Sequence, residues 1–219
     1  MKKLIILLLF TIIYCNKYSN LSLQQNTDIE YYKNYVVHIH YAKNPKPSAT
    51  GLLLNDGIHS LTCEHAISLW KDKLFITYLD KEELIPVSVI KNDKLMDLAL
   101  LKANKKLFLL PNKKLSLQEN ITINSNVFSF GAMYGHKYTF LRGYISHPLR
   151  KDIDFTKRPY IQVMGLAYSG MSGAPVFLFN GNFIGIIRGV FGFGIENGNS
   201  MVIPISTINE FLKDTNIKL

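Results

Sequence analysis

The sequence predicts an all-β fold on the basis of three observations. Eleven short apolar segments, rich in β-branched and aromatic residues, are bounded by Gly, Asn, Asp, Pro or Lys. Helical periodicity is scarce, and Asn180-Gly181 between two apolar runs indicates a hairpin with a type I′ turn. Short strands at such regular spacing favour a sandwich or barrels. The predicted strands are 35–41, 51–54, 74–79, 85–90, 98–102, 127–130, 139–146, 160–164, 175–179, 183–190 and 200–205.

The strands fall into two β-units of one domain, over residues 30–219. The first unit covers about 30–103 and the second about 121–205, and the Lys- and Asn-rich stretch 104–120 connects them. A short helix is predicted over 66–71. A second helix, over 206–214, is predicted from a capping box of Thr207 and Glu210 and from a shared apolar face of Ile208, Phe211 and Leu212.

Composition narrows the class of protein. Hydrophobic residues make up 47% of the 219 residues and charged residues 19%, which is typical of a globular chain. The formal net charge is +9, but the lysines are scattered over polar turns such as 71–73, 105–106 and 113–114. Since no nucleic-acid motif accompanies them, we expect a solvated basic surface and no nucleic-acid partner.

The N-terminus reads as an export signal. Met1-Lys2-Lys3 precedes an apolar run over 4–14 that is too short to span a bilayer as a helix. We therefore expect a signal peptide over 1–14 and a polar tether over 15–29. Cys15 stands where a bacterial lipoprotein carries its lipid, although Ile12-Ile13-Tyr14 replaces the usual small residues. Lipidation of Cys15 with membrane attachment, ordinary signal cleavage and an uncleaved anchor remain open. Each places the protein in the periplasm or at the cell surface.

The number of cysteines decides whether the chain can form a disulfide or a cysteine-based metal site. If Cys15 is lipidated or removed, only Cys63 remains. The mature chain then has no intramolecular disulfide and no cysteine-based metal site, so its stability must come from packing.

The segment Gly170-Met171-Ser172-Gly173-Ala174-Pro175 is the most informative motif. By composition, G-x-S-G-x-P should arise by chance about once in several hundred chains of this length. A serine nucleophile needs a tight loop whose backbone N–H groups also converge on the oxyanion, and small flanking residues permit such a loop. A simple Gly/Ser/Pro turn before the strand 175–179 is the alternative.

The nucleophile elbow of α/β-hydrolases is excluded for Ser172. That motif needs glycine two residues after the serine, where this chain has Ala174, and a histidine after the serine in sequence. All six histidines precede Ser172.

His65 and Asp97 are the best candidates for a base and its orienting acid. His65 lies at the end of a predicted apolar strand, which includes Leu61, and at the start of a predicted helical turn, and Asp97 opens the apolar run 98–101. A carboxylate at the edge of a buried strand needs a charged or hydrogen-bonding partner, and an imidazole N–H would provide one. Taken singly, His65 could be a core histidine and Asp97 an exposed residue at a strand start.

The order His65, Asp97, Ser172 is that of the chymotrypsin triad and differs from the two other known orders. Asp56 before His65 could begin the subtilisin order, but that fold needs alternating strands and helices, which this chain lacks.

Several blocks together resemble the protease domain of the bacterial heat-shock (periplasmic quality-control) serine endopeptidases, within the trypsin/chymotrypsin-like superfamily. The resemblance runs in the right order over about residues 48–212. Cys63 and Glu64 depart from the usual Asn-Ala, and Ala174 replaces the commoner second glycine. The sequence ends with its terminal helix, so we expect no peptide-binding (PDZ) domain here. The matching blocks are 49–54, 61–67, 96–102, 130–132, 139–146, 160–163, 169–175, 183–186 and 202–205.

The resemblance implies a fold and an activity. The fold would be two packed six-stranded antiparallel β-barrels, chymotrypsin-like, with a short C-terminal helix. The activity would be that of an exported serine endopeptidase that cleaves polypeptides through His65, Asp97 and Ser172 and an acyl-enzyme, with no cofactor. The N–H groups of Gly170 and Ser172 would form the oxyanion hole. The oligomeric state stays open.

The resemblance also implies a specificity pocket. Its floor would be Leu166, six residues before the serine, and one wall would contain Arg188, Gly189 and Val190. An apolar floor predicts cleavage after small or medium apolar residues. The alternative function is a catalytically latent protease fold that serves as a surface-lipoprotein binding or adhesion module.

His38 and His40 have the spacing of a two-histidine metal site on one face of a strand. Because no third ligand is evident, we predict solvent-facing positions and no metal.

Overall fold

The computed structural model describes residues 29–71, 73–79, 81–107, 114–152, 156–190 and 198–219. The predicted signal peptide, Cys15 and nearly all of the predicted tether lie outside the described residues. No helix within these ranges is long and apolar enough to cross a membrane.

The prediction of two six-stranded antiparallel barrels is confirmed. The strands of the first barrel close in the order β1-β2-β3-β6-β5-β4, and those of the second in the order β10-β11-β12-β9-β8-β7. Helix α1, Ile205–Leu212, follows the last strand, and two 3-10 helices cover Tyr32–Tyr35 and Met133–Gly135. The strands are β1 Val36–Tyr41, β2 Ala49–Leu53, β3 His59–Thr62, β4 Leu74–Tyr78, β5 Ile85–Asp93, β6 Leu98–Ala103, β7 Asn126–Gly131, β8 Thr139–Arg150, β9 Tyr160–Met164, β10 Pro175–Leu178, β11 Phe183–Val190 and β12 Asn199–Pro204.

Each barrel is filled by its own apolar cluster. Val37, Ile39 and Leu101 are among the buried side chains of the first cluster. Val163, Val176 and Val202 are among those of the second. Alternate residues of each strand point inward, so branched aliphatic side chains at every second position fill the two cores.

Strand β3 is the apolar strand that the sequence predicts before His65, although no bounds were predicted for it. Its four residues contain one strongly apolar side chain, Leu61, which pairs with Leu100 of β6. Pairing with β2 and β6 on both sides, rather than its own composition, makes this segment a strand. Its position matters, because it leads directly into His65.

Two local predictions were wrong. Residues 66–71 form successive turns instead of a helix, because the N–H groups of Ile67 and Trp70 donate to carbonyls three residues earlier, a pattern too tight for an α-helix. In the β10–β11 hairpin only Gly181 of the Asn180-Gly181 pair has a positive φ, of 88°. The hairpin is therefore not closed by a type I′ turn, which needs positive φ at both residues.

Helix α1 forms without the predicted capping box. Pro204 is its N-cap residue and no side chain caps its first turn, so Thr207 lies inside the helix and is buried. The predicted apolar face is confirmed, since Ile208, Phe211 and Leu212 are buried. Lys91 of β5 donates to the Phe211 carbonyl at 2.6 Å, which ties the helix to the first barrel.

Candidate active site

Three connecting segments bring the candidate residues together. His65 lies in the turn after β3, Asp97 in the turn between β5 and β6, and Ser172 in the loop between β9 and β10. The first two belong to the first barrel and the third to the second barrel. The site therefore exists only when the two barrels are packed together.

Asp97 is fixed against His65 by two kinds of contact. The carboxylate oxygen Oδ1 accepts the backbone N–H of His65 at 2.9 Å, and Nδ1 of the imidazole lies 2.8 Å from Oδ2. Only 6% of the Asp97 side chain is exposed, against 51% of the His65 side chain. Asp97 also has a φ of 54°, a conformation that non-glycine residues rarely adopt and that often marks a functional position.

The imidazole of His65 connects Asp97 to Ser172. Since an ionised carboxylate only accepts hydrogen bonds, Nδ1 of His65 carries the proton that faces Asp97. Nε2 is then an acceptor, and it lies 3.0 Å from Ser172 Oγ. The hydroxyl is also 3.3 Å from the carbonyl oxygen of Arg188. The arrangement can move a proton from the serine hydroxyl to the imidazole.

The loop before Ser172 turns on a glycine and is held by Thr50. Gly170 has a φ of 90°, and a Cβ there would overlap the carbonyl oxygen of Ala132. Thr50 Oγ1 donates to the Gly170 carbonyl at 2.8 Å and accepts the Ala132 N–H at 2.9 Å. The backbone N–H of Thr50 donates to the Ser172 carbonyl at 3.0 Å. Thr50, from β2, thus fixes both sides of the turn.

The N–H groups of Gly170 and Ser172 donate to no protein acceptor within the described residues. Both belong to the turn that presents the serine hydroxyl. Backbone donors left free beside a nucleophile are the groups that an oxyanion hole requires.

Arg188 contacts the carboxylate of Asp97 directly. Its Nε donates to Oδ2 at 3.0 Å, and 29% of its side chain is exposed. The sequence predicted Arg188 only as part of the wall of a specificity pocket. A charged residue inside the apolar strand β11 was the available signal for a buried partner, because such residues are rarely buried unpaired.

A cleft of about 470 Å³ opens beside His65. Gly189 lines it, whereas Leu166 is fully buried in the core of the second barrel and donates its N–H to Ser200 Oγ at 3.0 Å. Val190 is partly exposed, and residues 191–197 lie outside the described ranges. A pocket floor at Leu166 stays a prediction. The cleft is lined by Glu64, His65, Ser68, Lys94, Asp97, Arg188, Gly189 and Met201.

Among the described residues, Cys63, His65 and Asp97 form a group whose potential metal-ligand atoms lie within 4.8 Å of one another. The Cys63 thiol is buried and donates to the Ile187 carbonyl at 3.2 Å. Burial, with the nearby charge of Asp97, raises its pKa, so the thiolate that a metal needs is costly. The oxygens of Asp97 already accept hydrogen bonds from His65 and Arg188. The group fits proton transfer better than metal binding.

The prediction that His38 and His40 face solvent was wrong, because both side chains are fully buried. His38 packs edge-on against Tyr138 at 4.3 Å between ring centroids, and its Nε2 accepts the Tyr138 N–H at 3.3 Å. His40 lies 2.8 Å from the Asn44 carbonyl and 3.1 Å from Thr77 Oγ1. The outer face of β1 is therefore covered by a segment of the second barrel and by neighbouring turns.

Several known proteins are similar to this chain in sequence. The family model for the trypsin-like peptidase domain matches residues 49–186. A probable periplasmic serine endoprotease, DegP-like, of Pseudomonas putida strain W619 is 28% identical over 170 residues, 75% of this chain and 35% of that protein. A protein of the same description from Hahella chejuensis is 26% identical over 199 residues, 88% of this chain and 42% of that protein. The chain thus spans about two fifths or less of the length of these relatives.

Two solved structures share the fold. The HtrA-type protease AlgW with a tripeptide aligns with a TM-score of 0.70 and 21% identity, covering 83% of this chain and 60% of that one. An inactive form of Rv3671c from M. tuberculosis H37Rv aligns with a TM-score of 0.65 and 17% identity, covering 83% and 86%. Since the family model matches well over half of the residues, this chain belongs to the trypsin-like peptidase domain family.

Proposed function

We propose that this protein is a serine endopeptidase in which Ser172 is the nucleophile, His65 the general base and Asp97 the residue that orients His65. The observation that carries the proposal is the unbroken hydrogen-bond chain from Asp97 through His65 to Ser172, with contacts of 2.8 and 3.0 Å. Membership of a peptidase family adds to it.

In this mechanism Ser172 Oγ attacks the carbonyl carbon of a peptide bond while Nε2 of His65 takes the hydroxyl proton. Asp97 stabilises the imidazolium that forms. It also keeps the Nδ1–H of His65 directed at its carboxylate, so that Nε2 faces Ser172. His65 then gives the proton to the leaving amine, and an acyl-enzyme remains on Ser172. Water, activated by His65, hydrolyses the ester and restores the serine.

The negative charge that develops on the carbonyl oxygen needs donors, and we assign this role to the N–H groups of Gly170 and Ser172. Their lack of protein acceptors in the described part of the chain supports the assignment. One such donor is worth about 3 kcal/mol in this chemistry.

The test combines activity with labelling of the serine. A fluorophosphonate probe should label the purified protein at Ser172, and Ser172→Ala should lose labelling and lower peptide hydrolysis by roughly 10³-fold or more. Ser169→Ala is the matched control, because Ser169 is an exposed serine of the same loop. Labelling that fails in the unmodified protein, or hydrolysis that persists in Ser172→Ala, would refute the proposal. The first result would favour the latent binding module instead.

Two finer proposals concern location and specificity. The relatives named above are described as periplasmic, which supports export of this chain. We further propose attachment through a lipid on Cys15, which mass spectrometry of the peptide that contains Cys15 would refute by finding an unmodified thiol or no such peptide. The apolar character of Leu166 supports cleavage after small or medium apolar residues.

A further inference from the structure

Arg188 is a charged residue within an apolar strand. Ile186 and Ile187, which precede it in β11, are fully buried, whereas Arg188 turns its guanidinium toward the site. Its Nε lies 3.0 Å from Oδ2 of Asp97, a carboxylate whose side chain is only 6% exposed. A hydrogen bond between charged groups is shorter and stronger than one between neutral groups, and loss of one partner would leave the buried carboxylate without its counter-charge.

The guanidinium of Arg188 is itself held in place by neighbouring side chains. Its Cζ lies 5.4 Å from the centroid of the Tyr160 ring, within the range of a cation–π contact. Its Nη1 lies 3.8 Å from Sδ of Met201. Strands β9, β11 and β12 of the second barrel therefore supply the support for one donor, Nε, that reaches the first barrel.

The contacts of Asp97 divide between its two oxygens. Oδ1 accepts the backbone N–H of His65 at 2.9 Å, and Oδ2 accepts Nε of Arg188 at 3.0 Å. The N–H of the His65 ring points between them, at 3.0 and 2.8 Å. The backbone N–H of His65 and Nε of Arg188 bind different oxygens and so fix the plane of the carboxylate. The plane of the carboxylate in turn fixes the orientation of the imidazole ring.

We propose that Arg188 is a positioning residue, whose Nε–H holds the carboxylate of Asp97 in the orientation that His65 requires. The proposal rests on the proposed function of the triad. It differs from a role for Arg188 in substrate binding, which would act on the substrate and not through Asp97.

The two roles make different kinetic predictions. Arg188→Met places a methyl group where arginine has Nε, and it should lower kcat and the rate of fluorophosphonate labelling by about 10- to 100-fold, the range for loss of a hydrogen bond to a charged group. KM should change by less than about 3-fold, since the substitution leaves the backbone of β11 and the other residues that line the cleft in place. Added to Asp97→Asn, the same substitution should lower kcat by less than about 3-fold more, because its partner carboxylate is already gone. A raised KM with unchanged kcat, or a full additional loss in the double variant, would overturn the proposal.

Arg188→Lys separates the hydrogen bond from the charge. In lysine a methylene group stands where arginine has Nε, so the charge is kept but the donor is lost at that point of the side chain. We expect at least about a 5-fold loss of kcat. A Lys variant with the activity of the unmodified protein would overturn the proposal. Arg142→Met is the matched control for Arg188→Met, because Arg142 also lies over an aromatic ring, that of Phe179, and has no contact with Asp97.

A readout that does not need turnover distinguishes failure of this inference from failure of the proposed function. In a Ser172→Ala protein, the proton between Nδ1 of His65 and Asp97 should give a low-field proton resonance. Arg188→Met should shift or broaden it, whereas Arg142→Met should not. An unchanged resonance in the folded Arg188→Met protein would overturn the positioning role even if the enzyme proved inactive for another reason.

Discussion

The buried imidazole of His38 should make this protein lose stability in mild acid. Burial, the positive charge of Lys137 and the neighbouring His40 lower the pKa of His38 from 6.5 to about 3. In the unfolded chain the ring is solvated and takes up a proton near its ordinary pKa of 6.5. Between these two values the unfolded state binds one more proton than the folded state. The stabilisation is therefore complete above about pH 6.5 and is lost as the pH falls.

The size of the effect follows from the two pKa values. Each pH unit below the ordinary pKa removes about 1.4 kcal/mol of the free energy of unfolding. The loss from His38 alone is about 2 kcal/mol at pH 5 and about 5 kcal/mol near pH 3. A small domain has only about 5 to 15 kcal/mol in total, so the smaller loss is measurable and the larger one can unfold it.

The assay is urea denaturation at about pH 8 and about pH 5, followed by circular dichroism in a Ser172→Ala background that prevents self-cleavage. In His38→Gln the loss of stability between the two pH values should be smaller by about 2 kcal/mol. Glutamine can still place an oxygen near the position of Nε2, where the Tyr138 N–H donates at 3.3 Å. His136→Gln is the control, since His136 is exposed. An equal loss of stability in His38→Gln and its parent would refute the reasoning, because His38 would then be protonated equally in both states.

One further substitution and one panel of substrates test the site. Thr50→Val should lower the free energy of unfolding by about 1 to 3 kcal/mol by leaving the Gly170 carbonyl and the Ala132 N–H unpaired. The same variant should label more slowly with fluorophosphonate, and a labelling rate equal to that of the unmodified protein would show that Thr50 does not hold the loop. A panel of peptides that differ only at the residue before the cut should favour small or medium apolar side chains. A preference for Lys or Arg there would contradict a pocket floor at Leu166.

The fold could be predicted from the sequence because the residue patterns that mark strands and turns lie within short segments. Each strand has branched and aromatic residues at alternate positions, and turn residues separate one strand from the next. Each strand can therefore be predicted separately. Pro175–Leu178 and Phe183–Val190 lie within one residue of their predicted bounds. An apolar strand before His65 was predicted, but its bounds, His59–Thr62, were not, because its pairing with β2 and β6 sets them.

The sequence predicts those residues of the candidate site that can be recognised by their type and by their order along the chain. His65, Asp97 and Ser172 follow from their chemistry, their order and the resemblance of the blocks around them. The pairing of Arg188 with Asp97 does not, because the two residues are 91 positions apart and lie in different barrels. His38 and His40 show the converse error. Alternation in β1 correctly places them outside the barrel core, but the sequence does not say that another segment covers this face.

The contacts that hold the site together are contacts between the barrels. Thr50 of the first barrel binds the carbonyl groups of Gly170 and Ser172 in the second. The Ile187 carbonyl of the second accepts both the Cys63 thiol of the first and the N–H of Gly173. A shift of one barrel against the other would therefore disturb the nucleophile, its loop and Asp97 at once. Substitutions at this seam should lower activity before they unfold either barrel, because each barrel has an apolar core of its own.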